Sequence, residues 1–204
     1  MGTATVKITG IGNYYGTITR NFQIVSAQNT PTPAPVSKTF KDAYNTYTVN
    51  KTGTSVTLKK PNSKVIITAT IPSSVKANGK TYKVTAIAPN AFKNCRKLKQ
   101  ATISKNVSSI GSGAFQGCSS LRTLKIGSKV SSIGAKAFYD CKALTSVTIQ
   151  SKKLTSGSVG KSAFAKAGRN NYKKLKVKVP KSRLSAYKKL LKAKGLSSKT
   201  KVTK

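Results

Sequence analysis

The chain has 204 residues, of which 37% are hydrophobic, so it is long enough for one medium domain or two small ones with a buried core. Its 39 Lys and Arg residues stand against two acids, Asp42 and Asp140, and with no His the net charge is +37. General acid–base catalysis relies on His, Glu and Asp, so this inventory argues against an enzyme. The charge predicts attraction to polyanions, and because most of the cations are Lys, we expect unspecific contacts.

The opening residues, "MGTATVKITG", contain neither the basic region nor the apolar core of a signal peptide. The chain also has no run of 18 apolar residues that would span a membrane. It is therefore expected either to work inside the cell or to be a piece of a longer protein. The repeats described below favour the piece, with any leader upstream of Met1.

Residues 3–25 alternate apolar and polar side chains on both sides of a Gly/Asn/Tyr turn, which predicts a β-hairpin. The apolar side chains predicted to lie on the same face are Val6 and Ile8 of the first strand and Ile18, Phe22 and Ile24 of the second. Two strands alone cannot bury a core. The segment resembles the last two strands of a bacterial Ig-like surface domain, and this resemblance implies that residues 1–26 are the end of such a domain.

Three prolines among small polar residues predict an extended linker at residues 27–38. After it, "YNTYTVN", "TSVTLKK", "KVIITATIP" and "KTYKVTAI" are typical of short strands, and Asn78-Gly79 is a favoured hairpin turn. We expect residues 39–83 to form a β-rich cap.

An internal repeat of 23 residues begins at Val84, Val107 and Val130. The units share Ile, Phe, Cys, Leu and Ile at equivalent positions, for example Ile110, Phe115, Cys118, Leu121 and Ile126. A fourth, divergent unit runs from Leu154 to Pro180. A period of 20 to 29 residues with this apolar spacing predicts a solenoid, because no unit can bury its apolar face alone. Within a unit, "LRTLKIG" is predicted as the ladder strand, "VSSIG" as a short extended piece and "AFQGC" as a tight turn of helix.

The pattern V-x-x-I-G-x-x-A-F-x-x-C-x-x-L-x-x-[LV]-x-I resembles the BspA-type leucine-rich repeats of bacterial surface and secreted proteins. The resemblance implies a β-rich α/β solenoid: residues 39–204 form the domain, with repeats at 84–180 and a strand-helix cap at 181–204. In that cap Leu184, Tyr187 and Leu191 share one helix face, and Gly195 is the predicted stop. Ala88-Pro89 replaces the Gly-x of the other units, so we expect a different turn there.

Three cysteines recur with the repeat, at Cys95, Cys118 and Cys141. A structural zinc site needs four Cys or His ligands, and at most three are present. Stacked repeats would bring neighbouring cysteines close enough for a disulfide, although equivalent residues point in parallel and three cannot pair completely. Buried free thiols are the favoured reading.

The outward positions of the ladder strands form a polar strip edged with lysine, which is the usual binding surface of a solenoid. The strip comprises Gln100, Thr102, Ser104, Thr123, Lys125, Ser146, Thr148, Gln150, Lys176 and Lys178. A solvated sheet without a ligand is the alternative. We predict anionic contacts at Arg122, Lys125, Lys176 and Lys178, and no catalytic, metal or cofactor site.

The resemblance implies a non-catalytic adhesion or binding module, outside the cell or on its wall. Its expected partner is a protein or an anionic polysaccharide such as a teichoic-acid-like polymer. Two alternatives remain open: an accessory module of a longer secreted enzyme, and a nonspecific nucleic-acid-binding protein suggested by the charge. Against the second, the sequence has no base-reading element and no aromatic platform, so specific nucleic-acid binding is not expected.

Overall fold

The computed structural model describes residues 2–9, 17–24 and 39–204. It separates into two compact units, residues 1–36 and 37–204. In the first unit, strands β1 (Gly2–Thr9) and β2 (Thr17–Ile24) pair antiparallel with Ile8 opposite Ile18. The two predicted hairpin strands are therefore confirmed, whereas the predicted turn and the linker lie outside the described residues.

The second unit opens with a meander of strands β3 (Thr39–Lys41), β4 (Asn45–Val49) and β5 (Ser55–Pro61). After one further strand, β7 (Ser74–Ala77) and β8 (Lys80–Ile87) form a hairpin. Its turn is Asn78-Gly79, with φ of 49° and 72°, the left-handed values that a tight hairpin turn requires. The turn prediction is confirmed, but its first strand is β7, which was not predicted.

A parallel sheet of six strands runs through the second unit and is called the ladder here. Its strands, in spatial order, are β6 (Thr68–Ile71), β9 (Gln100–Ile103), β11 (Thr123–Ile126), β13 (Ser146–Ile149), β14 (Lys176–Lys178) and β15 (Lys201–Thr203). The four predicted repeats supply the middle four strands. The structure adds one strand at each end, and β6 comes from the segment that was assigned to the cap.

The inserted hairpin explains why the first ladder strand escapes the 23-residue period. Val84 follows Ile71 by 13 residues, whereas Val107 follows Ile103 by four. The extra nine residues contain β7 and the first residues of β8. The last residues of β8 pair in parallel with β10 (Ser109–Ile110). Beyond it lies β12 (Ser132–Ile133). The "VSSIG" pieces are therefore extended, as predicted, and the structure shows in addition that they pair in parallel as a second face of the solenoid.

The segment "AFQGC" is not a turn of helix, contrary to the prediction. Gly113 and Gly117 take positive φ values of 63° and 70°, which interrupt a right-handed helix. The N–H groups of Gly113, Phe115 and Gly117 instead donate to carbonyls of the next repeat, at 2.8–2.9 Å. The intervening residues close turns within their own repeat, for example Gln116 N–H to the Gly113 carbonyl at 3.0 Å. This segment forms the third side of the solenoid, beside the ladder and the "VSSIG" face, and its hydrogen bonds join one repeat to the next.

The first repeat has the same turn as the others, so the expectation of a different turn at Ala88-Pro89 is wrong. Asn90 and Asn94 take φ values of 56° and 60°, at the positions that Gly113 and Gly117 occupy in the next unit. The Gly that Ala88 replaces is needed elsewhere for close approach: a Cβ on Gly111 would lie closer than 3.0 Å to the backbone of Ala88 and Pro89. Ala88 is preceded in the stack by strand β5 of the cap and not by another repeat. Its N–H donates to the Leu58 carbonyl of β5, as the Gly111 N–H donates to the Ile87 carbonyl of β8.

The C-terminal end is closed by a short 3₁₀ helix (Lys181–Arg183) and helix α1 (Leu184–Ala193). Tyr187, Leu190 and Leu191 are buried and Leu184 is partly buried, which confirms the predicted apolar face. Gly195, at φ 97°, ends the helix: its N–H donates to Lys192 and that of Leu196 donates to Leu191. None of the helices in the described ranges has both the length and the apolar character needed to cross a membrane.

One continuous core joins the cap, the repeats and α1. Along its centre four Phe rings stack: Phe92 on Phe115 at 4.8 Å between centroids, Phe115 on Phe138 at 5.4 Å, and Phe138 on Phe164 at 5.2 Å. All four rings are buried. Each repeat therefore covers the apolar surface of its neighbour and shields it from solvent, as a solenoid requires.

Candidate binding face of the ladder

The outward side chains of the ladder form two columns that run across its six strands, and together they are called the ladder face. One column contains Thr68, Gln100, Thr123, Ser146, Lys176 and Lys201; the other contains Thr70, Thr102, Lys125, Thr148, Lys178 and Thr203. The inward residues between them, such as Leu124 and Val147, are buried. Alternation of this kind is why the face is polar while its reverse side belongs to the core.

The cations of the ladder face gather at its C-terminal end. Lys176 and Lys178 are exposed on β14, and Lys201 of β15 is the direct register partner of Lys176. Lys125 stands two strands away in the Lys178 column, with Thr148 between them, so about 10 Å separates their Cα atoms. The structure therefore brings Lys176, Lys178 and Lys201 together and leaves Lys125 apart from them.

Arg122 lies at the corner just before β11 and not in either column. Its N–H donates to the Lys99 carbonyl at 2.8 Å, and its own carbonyl accepts N–H bonds from Thr145 and Ser146, both at 3.0 Å. The backbone is thus fixed between neighbouring repeats while the side chain is exposed. Arg122 is a residue of the margin of the ladder face.

The two acids of the chain lie away from the ladder face and are already engaged. Asp42 accepts hydrogen bonds from the N–H groups of Tyr44 and Asn45 and, at 2.9 Å, from the Tyr47 hydroxyl. Asp140 forms an ion pair with Arg169 at 2.9 Å. Because no Asp or Glu side chain of the described residues pairs with the lysines of the ladder face, their positive charge is not offset by an acidic side chain.

The three cysteines are buried free thiols, which is the favoured prediction. The Cys118 thiol donates to the Phe92 carbonyl at 3.1 Å, and the Cys141 thiol donates to the Phe115 carbonyl at 3.2 Å. The thiols of Cys118 and Cys141 therefore each donate to a carbonyl of the preceding repeat. Burial, with the neighbouring Cys95, raises the pKa of Cys118 to about 12, and burial raises the pKa of Cys141 well above its usual value.

These pKa shifts predict unreactive thiols, because the thiolate is the nucleophile. We expect a maleimide to label the native protein at least about 100-fold more slowly than the urea-denatured protein, since labelling requires the core to open. Thr123→Cys, an exposed position on the ladder face, is the control and should label rapidly in the native state. Rapid native labelling of Cys118 in the parent chain would contradict the buried arrangement.

No metal-binding group of three or more His, Cys, Asp or Glu side chains occurs within the part of the chain that the structure describes. The ladder face carries only hydroxyl, amide and lysine side chains in its two columns. Its chemistry is hydrogen bonding and attraction of anions. These are the properties of a binding surface.

The family model for the BspA type leucine-rich repeat region matches residues 85–194 in six copies, which is more than half of the chain. The chain belongs to this family. The β-solenoid predicted from the repeats is confirmed, as are the closing strand and short helix that the family resemblance implied. No curated protein matches the chain.

Two solved leucine-rich repeat proteins are similar to this BspA-type chain. One, the T. pallidum protein TpLRR, is 23% identical with a TM-score of 0.57; the match covers 70% of this chain and 61% of that one. The other, from Bacteroides capillosus ATCC 29799, is 32% identical with a TM-score of 0.50 and covers 57% of this chain and 87% of that one. This chain thus spans less than two thirds of TpLRR, and that likeness shows the fold alone.

Sequence reasoning missed one cation of the ladder face, Lys201. Its strand has three residues, Lys201–Thr203, and lies outside the repeat period, so no apolar pattern marks it as a ladder strand. The only signal is the alternation Lys-Val-Thr, which matches Lys-Val-Lys of β14. An alternation of that length is too short to distinguish a strand from a tail.

Proposed function

We propose that this BspA-type module is a non-catalytic binding domain of a bacterial surface or wall-associated protein. Its ligand would be an anionic polymer or protein held on the ladder face by Lys125, Lys176 and Lys178, with Arg122 at the margin. The observation that carries the proposal is the cluster of exposed Lys176, Lys178 and Lys201 on one face, with no Asp or Glu side chain beside it. Contact would be multivalent, and each ion pair would be weak and screened by salt.

Location outside the cell follows from the family resemblance of the repeats to surface and secreted proteins. The hairpin of residues 1–26, proposed as the end of an Ig-like domain, would tie the module to the rest of a surface protein. Multivalent attachment would compensate for weak individual contacts.

The test compares two triple variants of equal net charge. Lys125→Gln/Lys176→Gln/Lys178→Gln removes three cations from the ladder face, and Lys93→Gln/Lys97→Gln/Lys161→Gln removes three exposed cations from elsewhere. Titration with purified teichoic acid at about 0.15 M salt should show about tenfold weaker binding for the first variant, because each lost exposed contact weakens affinity a few-fold. The second variant should bind within about threefold of the parent, as its positions contribute only long-range charge.

Equal losses in the two variants would mean that the ladder face is not the binding site. A DNA titration in parallel addresses the alternative raised by the charge. Tight DNA binding that persists at about 0.15 M salt and depends on base sequence would contradict the surface-binding proposal.

A further inference from the structure

A groove lies at the C-terminal end of the solenoid, between helix α1 and strand β15. Its volume is about 840 Å³. Its lining includes the buried Thr200 and Val202 and the partly buried Leu184 and Thr203, which we call the floor. The other lining residues are exposed lysines, which we call the rim: Lys181, Lys188, Lys192, Lys201 and Lys204. The groove is thus partly apolar at its base and cationic around its opening. It adjoins the ladder face but lies beyond its last strand.

One wall of the groove is an open sheet edge. Strand β15 is the last strand in the order of the ladder, and within the described residues its only strand neighbour is β14. The Val179 N–H donates to the Thr203 carbonyl at 2.9 Å, so the backbone groups of Thr203 face β14. Because backbone groups alternate in direction along a strand, those of Val202 face away from β14. An open edge of this kind can pair with another strand.

The charge of this region selects which strand could pair. Thirteen of the 39 Lys and Arg residues of the chain fall in residues 173–204, a stretch with no acid. Lysine at an open edge disfavours pairing with a second copy, since the copy would bring the same positive charge. The same lysines attract a strand that carries carboxylates.

We propose that the groove binds an extended acidic peptide segment of a partner protein, which adds to β15 as the next strand of the ladder. Main-chain hydrogen bonds to the open edge would hold the peptide. Its carboxylates would lie against the lysines of the rim, and alternate small apolar side chains would cover Leu184, which is only partly buried. This mode of recognition combines strand addition with charge selection. It is a second site beside the ladder face, and Lys201 lies at the boundary between the two.

The probe is a blocked octapeptide of alternating Asp and Val, titrated into the full chain. The groove variant, Lys181→Glu/Lys188→Glu, reverses two exposed rim charges, and Lys93→Glu/Lys97→Glu reverses two exposed charges outside the groove. We expect at least about tenfold weaker binding in the groove variant, because each reversal replaces an attraction by a repulsion, and at most about a threefold change in the control. Equal weakening in both would overturn the proposal.

Two further peptides test the strand pairing on the unaltered protein, so the proposal does not depend on a variant that folds. One is N-methylated at the Val residues and the other at the Asp residues. Only one of these two sets of N–H groups can face β15, so one peptide should lose binding by about tenfold or more and the other should bind like the parent peptide. Unchanged binding of both, equal binding of heparin in the groove, or dimerisation of the chain through this edge would each overturn the proposal.

Discussion

Replacing Phe115 with alanine is expected to lower the free energy of unfolding by about 3–5 kcal/mol. The ring is fully buried and stacks on Phe92 and Phe138, at 4.8 and 5.4 Å between centroids. Its removal therefore leaves a cavity between two repeats, and the backbone bonds that stitch those repeats together limit collapse into it. Urea denaturation followed by circular dichroism measures the change.

Gln116→Ala is the control for this substitution, since Gln116 is the next residue but its side chain is partly exposed. We expect a change of about 0.5 kcal/mol or less for it. A cost below about 1 kcal/mol for Phe115→Ala would contradict the view that the Phe stack is the centre of the core.

Gly134→Ala is expected to destabilise the chain by about 1–3 kcal/mol, although it adds only a methyl group. The added Cβ would lie closer than 3.0 Å to backbone atoms of Ser112 and Gly111 in the preceding repeat. Backbone cannot rotate out of the way as a flexible side chain can. Two neighbouring repeats must therefore separate, and this strains the bond from the Gly134 N–H to the Ile110 carbonyl, now 2.8 Å.

The matched control is Gly157→Ala, because a Cβ on Gly157 meets no atom within 4 Å. Its free energy of unfolding should stay within about 0.5 kcal/mol of the parent value. If both Ala variants were equally stable, the close approach of repeats at the V-x-x-I-G glycine would not be a requirement of the stack.

The architecture was largely predictable because each repeat unit supplies the same set of core residues at the same positions. Ile110, Phe115, Cys118 and Leu121 recur at a fixed period, and only stacked units explain apolar residues with that spacing. Once the apolar residues of a ladder strand are known to face the core, the residues between them must face outward. The prediction of Lys125, Lys176 and Lys178 on one face therefore needed only the alternation of the strands.

The features that the sequence did not predict are ones that do not recur with the 23-residue repeat. The "AFQGC" segment contains the good helix formers Ala114 and Gln116. Gly113 and Gly117, however, take left-handed conformations, and the segment forms bonds to the next repeat in place of helical bonds. The ladder strands β6 and β15 lie where an insertion or a short tail breaks the spacing. The groove beside α1 arises from how distant segments meet, so the sequence gives no local sign of it.

The position of the anionic contacts is the central claim, and lysine footprinting tests it most directly. The full chain is acetylated with and without purified teichoic acid at about 0.15 M salt, and the modification of each lysine is measured by mass spectrometry. We expect the ligand to protect Lys125, Lys176 and Lys178 while Lys93 and Lys161 react as in the free chain. Uniform protection, or protection confined to Lys93 and Lys161, would contradict a binding site on the ladder face.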